Sequence, residues 1–172
     1  MQIAKVLTML ALCVTPVAAP AQQPATDCPA KPALDYPWQD WTLPKAGMAG
    51  YQTSDARTLL LGSALEATLH PQGHMVYAAK PGKDGGAATF GGIFRLNLAK
   101  PSRVGIALSG AAWLDVVIGA APAVSIDHGH GPACSGIRKI VWFNLPKGAN
   151  LVQIANAPTE TIRIMAIEKP AG

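Results

Sequence analysis

"TFGGIFRLNLAKPSRVGIALSGAAWLDVVIG", residues 89–119, is the stretch that decides the fold. Phe94, Leu96 and Leu98 fall on one side of an extended chain, with Arg95 and Asn97 on the other. After Lys100-Pro101 the alternation resumes with Val104, Ile106 and Leu108. A repeat of two puts apolar side chains on one face of a strand, whereas a helix would bring them back every three or four residues. Working outward, "SALEATLH" (63–70) sets Leu65, Ala67 and Leu69 against Glu66, Thr68 and His70. "HMVYAA" (74–79) follows after "PQG", which predicts a hairpin with His70 and His74 as neighbours across it. "AVSID" (123–127), "RKIVWFNL" (138–145), "NLVQIAN" (150–156) and "TIRIMAIE" (161–168) complete the series. Segments recurring about every ten residues between Gly, Pro and Asn breaks predict an all-β fold, an antiparallel β-sandwich or jelly roll of about eight or nine strands. "TSDARTLLLG" (53–62) is read as at most one short helix, capped by Ser54 and ending at Gly62, or as a further strand.

The chain's 172 residues suit a single core, and its 14% charged residues beside 17 Gly and 15 Pro favour strands and turns over charged helices. The formal charge is +4, but Lys and Arg are scattered and form no stripe that would follow a nucleic-acid backbone, so no nucleic-acid partner is expected. The opening residues "MQIAKVLTMLALCVTPVAAPAQ" have the form of an export signal: Lys5 supplies the positive end, Val6 to Val14 the apolar run, and Ala19-Pro20-Ala21 the small-residue cleavage site. The expected organisation is a signal peptide over 1–21, an extended arm over 22–50 and a β-sandwich domain over 51–172, with no membrane span once the signal is removed. Cys13 leaves with the signal, since Leu12 precedes it where a lipoprotein cysteine would need a small residue. The expected location is the periplasm or the exterior. There Cys28 and Cys134 have one possible pairing, a disulfide between the arm and the loop around 134. Prolines 24, 29, 32, 37 and 44 keep the arm irregular, and Trp38 or Trp41 is expected to pack over one end of the core or, less simply, to stack on a sugar.

Chemistry concentrates in "SIDHGHGPACSGIRK", residues 125–139. Histidines two apart on a strand share a face, so His128 and His130 can reach one ion, with Asp127 turned away and Asp115 the nearest candidate carboxylate in a neighbouring strand. Zinc or copper would suit such ligands. The same stretch also reads as an anion cradle, with Gly-rich backbone N–H groups, the Ser135 hydroxyl and the Arg138 fork as ligand-binding groups. Only one of Arg138 and Lys139 can face that site if 138–145 is a strand. The plain alternative is a turn whose histidines are ordinary loop residues and whose Arg138 pairs with Asp115 or Asp127. Cys134 could act as a thiolate ligand or nucleophile, a role the disulfide would remove. His70 and His74 form a second, weaker pair. No catalytic residue is assigned: there is no nucleophile elbow and no Gly loop that leads into a helix.

Residues 90–168, through "FRLNLAKPSRVGIALSG", "AWLDVVIG" and "LPKGANLVQIAN", resemble the small jelly rolls of the bacterial pre-peptidase C-terminal type. The combination "GGIFRL", "AWLDVV", "HGHGPACSGIRK" and "LPKGANLVQI" further resembles a family of small exported bacterial proteins of unassigned role, many carrying the automatic label homogentisate 1,2-dioxygenase. That label implies a cupin with iron on two histidines and a carboxylate. Here Ser135 and Gly136 stand where the glutamate after His-x-His would be, and Leu151 where a later histidine would be. The expected function is an exported binding or accessory module that takes a small anionic ligand or a metal ion at 127–139. A small iron-dependent, cupin-like oxygenase using His128 and His130 and a structural envelope protein are the alternatives.

Overall fold

The computed structural model describes Cys28, residues 33–83 and residues 85–169. The expected signal peptide and the first residues of the arm lie outside them. The strands are β1 (Lys45–Met48), β2 (Arg57–Leu59), β3 (Leu65–Thr68), β4 (His70–Pro71), β5 (Phe90–Leu98), β6 (Ser102–Leu108), β7 (Trp113–Ile118), β8 (Ala121–Pro122), β9 (Asp127–Gly129), β10 (Lys139–Leu145), β11 (Gly148–Ala157) and β12 (Thr161–Glu168). They form a β-sandwich. One sheet runs β1-β3-β12-β6-β10-β9; the other runs β2-β5-β11-β7-β8, with β4 added beside β5. We refer to them as the first and second sheets.

The alternation at 94–108 has the expected outcome. Phe94, Leu96 and Leu98 of β5 meet Val104, Ile106 and Leu108 of β6 in a core between the sheets, joined by Val152 and Ile154 from β11 and Ile162 and Ile164 from β12. The first sheet buries its other face as well, because Ala107, Ile140, Met165 and Ile167 pack there beneath Trp38 and Trp41 of the arm. Trp41 donates from Nε1 to the Ser135 carbonyl at 2.9 Å, and Arg163 stacks 5.6 Å from its ring while donating to its carbonyl oxygen. Burial on both faces explains why β12 reads as an almost continuous apolar run rather than a strict alternation. Gly105 lies under Trp142, where a Cβ would come within 2.8 Å of the ring.

Several expectations need correction. The sheets are mixed, since β1 runs parallel to β3 and β2 parallel to β5, and the described residues hold twelve strands because several are only two or three residues long. β1 falls within the stretch read as arm: Lys45–Met48 holds no proline and, as an edge strand, needs a partner on one side only. The hairpin across Pro71-Gln72-Gly73 does not form. β3 pairs with β1 and β12, β4 with β5, and Gln72–His74 close a 3-10 turn. Beyond it, residues 75–83 run as a strap over the outside of the second sheet, held by two hydrogen bonds between the Gln153 amide and the Ala79 backbone. The stretch 53–62, read as a short helix or a strand, divides: Thr53–Asp55 make one 3-10 turn capped by Gln52 rather than Ser54, and Arg57–Leu59 are the strand β2.

Candidate functional site

The sandwich is open along one side. There β8 ends the second sheet and β9 ends the first, and residues 123–126 cross between them. The crossing is tied by Ala123 N–H to Val116 O at 2.7 Å and by Ile126 N–H to Trp142 O at 2.8 Å. Pro122, which cannot donate to a ladder, sits on the edge strand where that costs nothing. Between the sheet margins lies a cleft of about 540 Å³, within the range of small-molecule sites. Leu114, Ala123, Val141 and Phe143 make its apolar walls, and His128, His130 and Lys139 add polar groups.

Strand register explains which side chains enter. His128 stands opposite Val141, and Asp127 opposite Trp142, so His128 shares the inward face of Val141 and Phe143 while Asp127 faces away. His130, two residues on, also borders the cleft, as expected from the spacing. Its Nδ1 lies 2.9 Å from the Arg138 carbonyl. A carbonyl only accepts, so Nδ1 carries the proton and Nε2 of the neutral ring has a free lone pair, the form that ligates metals.

The loop that follows is tightly built rather than loose. Cys28 and Cys134 form the expected disulfide, with Cα atoms 5.3 Å apart. Gly131 allows Ile137 to approach so closely that a Cβ at 131 would come within 2.3 Å of it, and Gly136 has a φ of 72°. Ser135 is buried: its hydroxyl accepts from the Ile137 N–H at 3.0 Å and its carbonyl accepts from Trp41. It braces the loop and does not border the cleft.

Arg138 is exposed and also lies off the cleft wall, which its neighbour Lys139 joins instead. Lys139 has the parity of Val141 and Phe143, hence the inward position, and its Nζ donates to the Ala112 carbonyl on the opposite side of the opening. Burial, reinforced by the Arg138 guanidinium, holds the Lys139 ammonium below the ordinary lysine value against a smaller opposing pull from Asp115. The sequence signal for Lys139 was its parity with Val141 and Phe143.

Asp115 does not complete a triad with the histidines. Asp115 borders the cleft at its edge, but Leu114 and Val116 take the core face of β7, so the Asp115 side chain stands on the outer side, opposite Gln153. There its carboxylate accepts from Gly82 N–H at 3.1 Å and from Trp113 Nε1 at 2.9 Å, fastening the strap. Asp127 pairs with Arg103 at 3.5 Å. Among the described residues no three His, Cys, Asp or Glu side chains gather as a ligand set. His70 and His74 do not form a pair either: His70 Nε2 is bonded to the Ala49 carbonyl at 2.8 Å, and His74 is exposed on the 3-10 turn.

Compared with protein-family models, with curated proteins and with solved structures, the chain shows no match.

Proposed function

We propose that this protein is a small exported binding or accessory module whose ligand enters the cleft at the open side of the sandwich. The observation that carries the reading is the convergence of His128, His130 and Lys139 on one cleft with apolar walls. An apolar cavity with a few polar groups is the usual build of a small-molecule site. The disulfide and the signal-like first residues support export, in keeping with the resemblance to small exported bacterial proteins. Lys139 and the histidines, rather than Arg138 and Ser135, are the groups placed to meet the ligand, since these border the cleft.

Zinc or copper on His128 and His130 is a second reading, favoured by the free Nε2 of His130. Bound there, such an ion would supply Lewis acidity or a docking point for a ligand's oxygen atoms. An iron oxygenase fits less well, because a facial triad needs a carboxylate and Asp115 is committed on the other face of its sheet.

The test uses untagged protein with its disulfide intact. Metal analysis and mass spectrometry of small molecules released on denaturation should find a bound species. Ala123→Phe, which narrows the cleft, should deplete an organic ligand, and replacing both His128 and His130 by Ala should deplete a metal. Bound species retained undiminished in both variants would move the site elsewhere.

A further inference from the structure

Lys139 is the unusual group of the cleft. Its ammonium is half-buried, yet among the described residues no carboxylate lies within ion-pair distance of it, and its bonded partner is a backbone carbonyl. Asp115, the one acid that acts on it, directs its hydrogen bonds to Gly82 and Trp113, and Asp127 faces away and pairs with Arg103. A cation withdrawn from water with no carboxylate in direct contact is costly, and Asp115, whose pull is the smallest of the influences on it, offsets that cost only in part. The two imidazoles beside it add no negative charge, and the walls of Leu114, Val141 and Phe143 keep the local dielectric low, which strengthens attraction for an anion. At the mouth Val124 is 86% exposed, so apolar surface continues outward from the floor to the rim.

We infer that the ligand is a small amphipathic organic anion, with its charged head on Lys139 and its apolar body along Leu114, Val141 and Phe143. The inference rests on the cleft being the binding site and adds the chemical class of what enters it. Lys139 acts as a point charge, so the head is selected by charge rather than by shape. The histidines flank the head as hydrogen-bond donors or acceptors, and Val124 covers the part of the body nearest solvent.

The experiment compares three probes that share an eight-carbon tail: octanoate, octanol and octyltrimethylammonium. Binding to the disulfide-intact protein is followed by calorimetry and tryptophan fluorescence. A hydrogen-bonded charge contact at the head should make octanoate bind at least about tenfold more tightly than octanol, with the cationic probe weakest. Lys139→Gln, which retains a donor for the Ala112 carbonyl, should erase the octanoate advantage and leave octanol unchanged. Should that variant fold poorly, the head-group series on the unaltered protein decides alone. Equal binding of octanol and octanoate would overturn the anion assignment while leaving the cleft as a site. Absence of binding by every probe, or identical binding in Ala123→Phe, would overturn both.

Discussion

Removing the disulfide offers the most quantitative test of how the arm and the histidine loop are held. The perturbation is the double replacement Cys28→Ser and Cys134→Ser, which opens a covalent link between residues separated by 106 positions. The chain-entropy relation gives the unfolded state roughly 16 cal/mol/K for release of a loop of that size, or about 4.8 kcal/mol near room temperature. At about 2–4 °C per kcal/mol for a domain of this length, melting should fall by roughly 10–20 °C. The folded arm should nonetheless stay in place. Trp41 is 1% exposed, bonded to Ser135 and stacked on Arg163, and Trp38 packs in the same outer cluster, none of which involves the sulfurs. The assay is thermal and urea unfolding of the variant beside the wild type, with tryptophan emission recorded below the transition. A melting point within about 2 °C of wild type would refute the loop-entropy reasoning. A red-shifted emission from the still-folded variant would refute the independent docking of the arm.

Other predictions concern packing and ionisation. Trp41→Phe keeps most of the ring but removes the only side-chain donor to the buried Ser135 carbonyl among the described residues, so it should cost about 1–2 kcal/mol in urea unfolding. Gly92→Ala would set a Cβ 2.6 Å from the Ala49 Cβ and 2.8 Å from Leu69, and should destabilise by about 1–3 kcal/mol through overpacking, read from the same curves. Lys139 titrates below 10.5 in the folded state, so between its folded value and 10.5 the unfolded chain binds more protons and stability rises with pH. The stability of Lys139→Met relative to wild type should therefore be greatest around neutral pH and decline as pH is raised toward 10.5; a difference that stays flat would contradict the burial of the ammonium.

The all-β sandwich was legible because its longest strands carry a period of two that no helix can use, as in Phe94-Leu96-Leu98 and Val104-Ile106-Leu108. Partners were less legible, since periodicity says which face is buried but not against which strand. "SALEATLH" and "HMVYAA" therefore looked like a hairpin, while β3 lies beside β1 and β12 and the second segment becomes a strap. The candidate site divides in the same manner. His128 and His130 border one cleft because i and i+2 share a face, a property of the strand alone. Arg138 has the better fork for an anion and only one of Arg138 and Lys139 can face the site; Lys139 shares the buried parity of Phe143 and is the one that borders the cleft. Asp115 stands at the edge of the same cleft, but Leu114 and Val116 on either side of it turn its carboxylate to the outer face, where it bonds Gly82 and Trp113. Recruitment of Asp115 and Gln153 to anchor the strap depends on a contact between distant segments that no local pattern announces.

The order of strands bears on how the chain can be assembled. β11 lies between β5 and β7 and β12 between β3 and β6, so the last two strands in sequence are interior members of the two layers. Earlier strands can pair locally, β10 with β6 and β9 or β5 with β2 and β4, but neither layer is continuous until residues 148–168 join its parts. A polypeptide emerging from a ribosome, or threaded through a narrow translocation pore, thus holds separate strand groups and acquires its two continuous layers only once those final segments arrive.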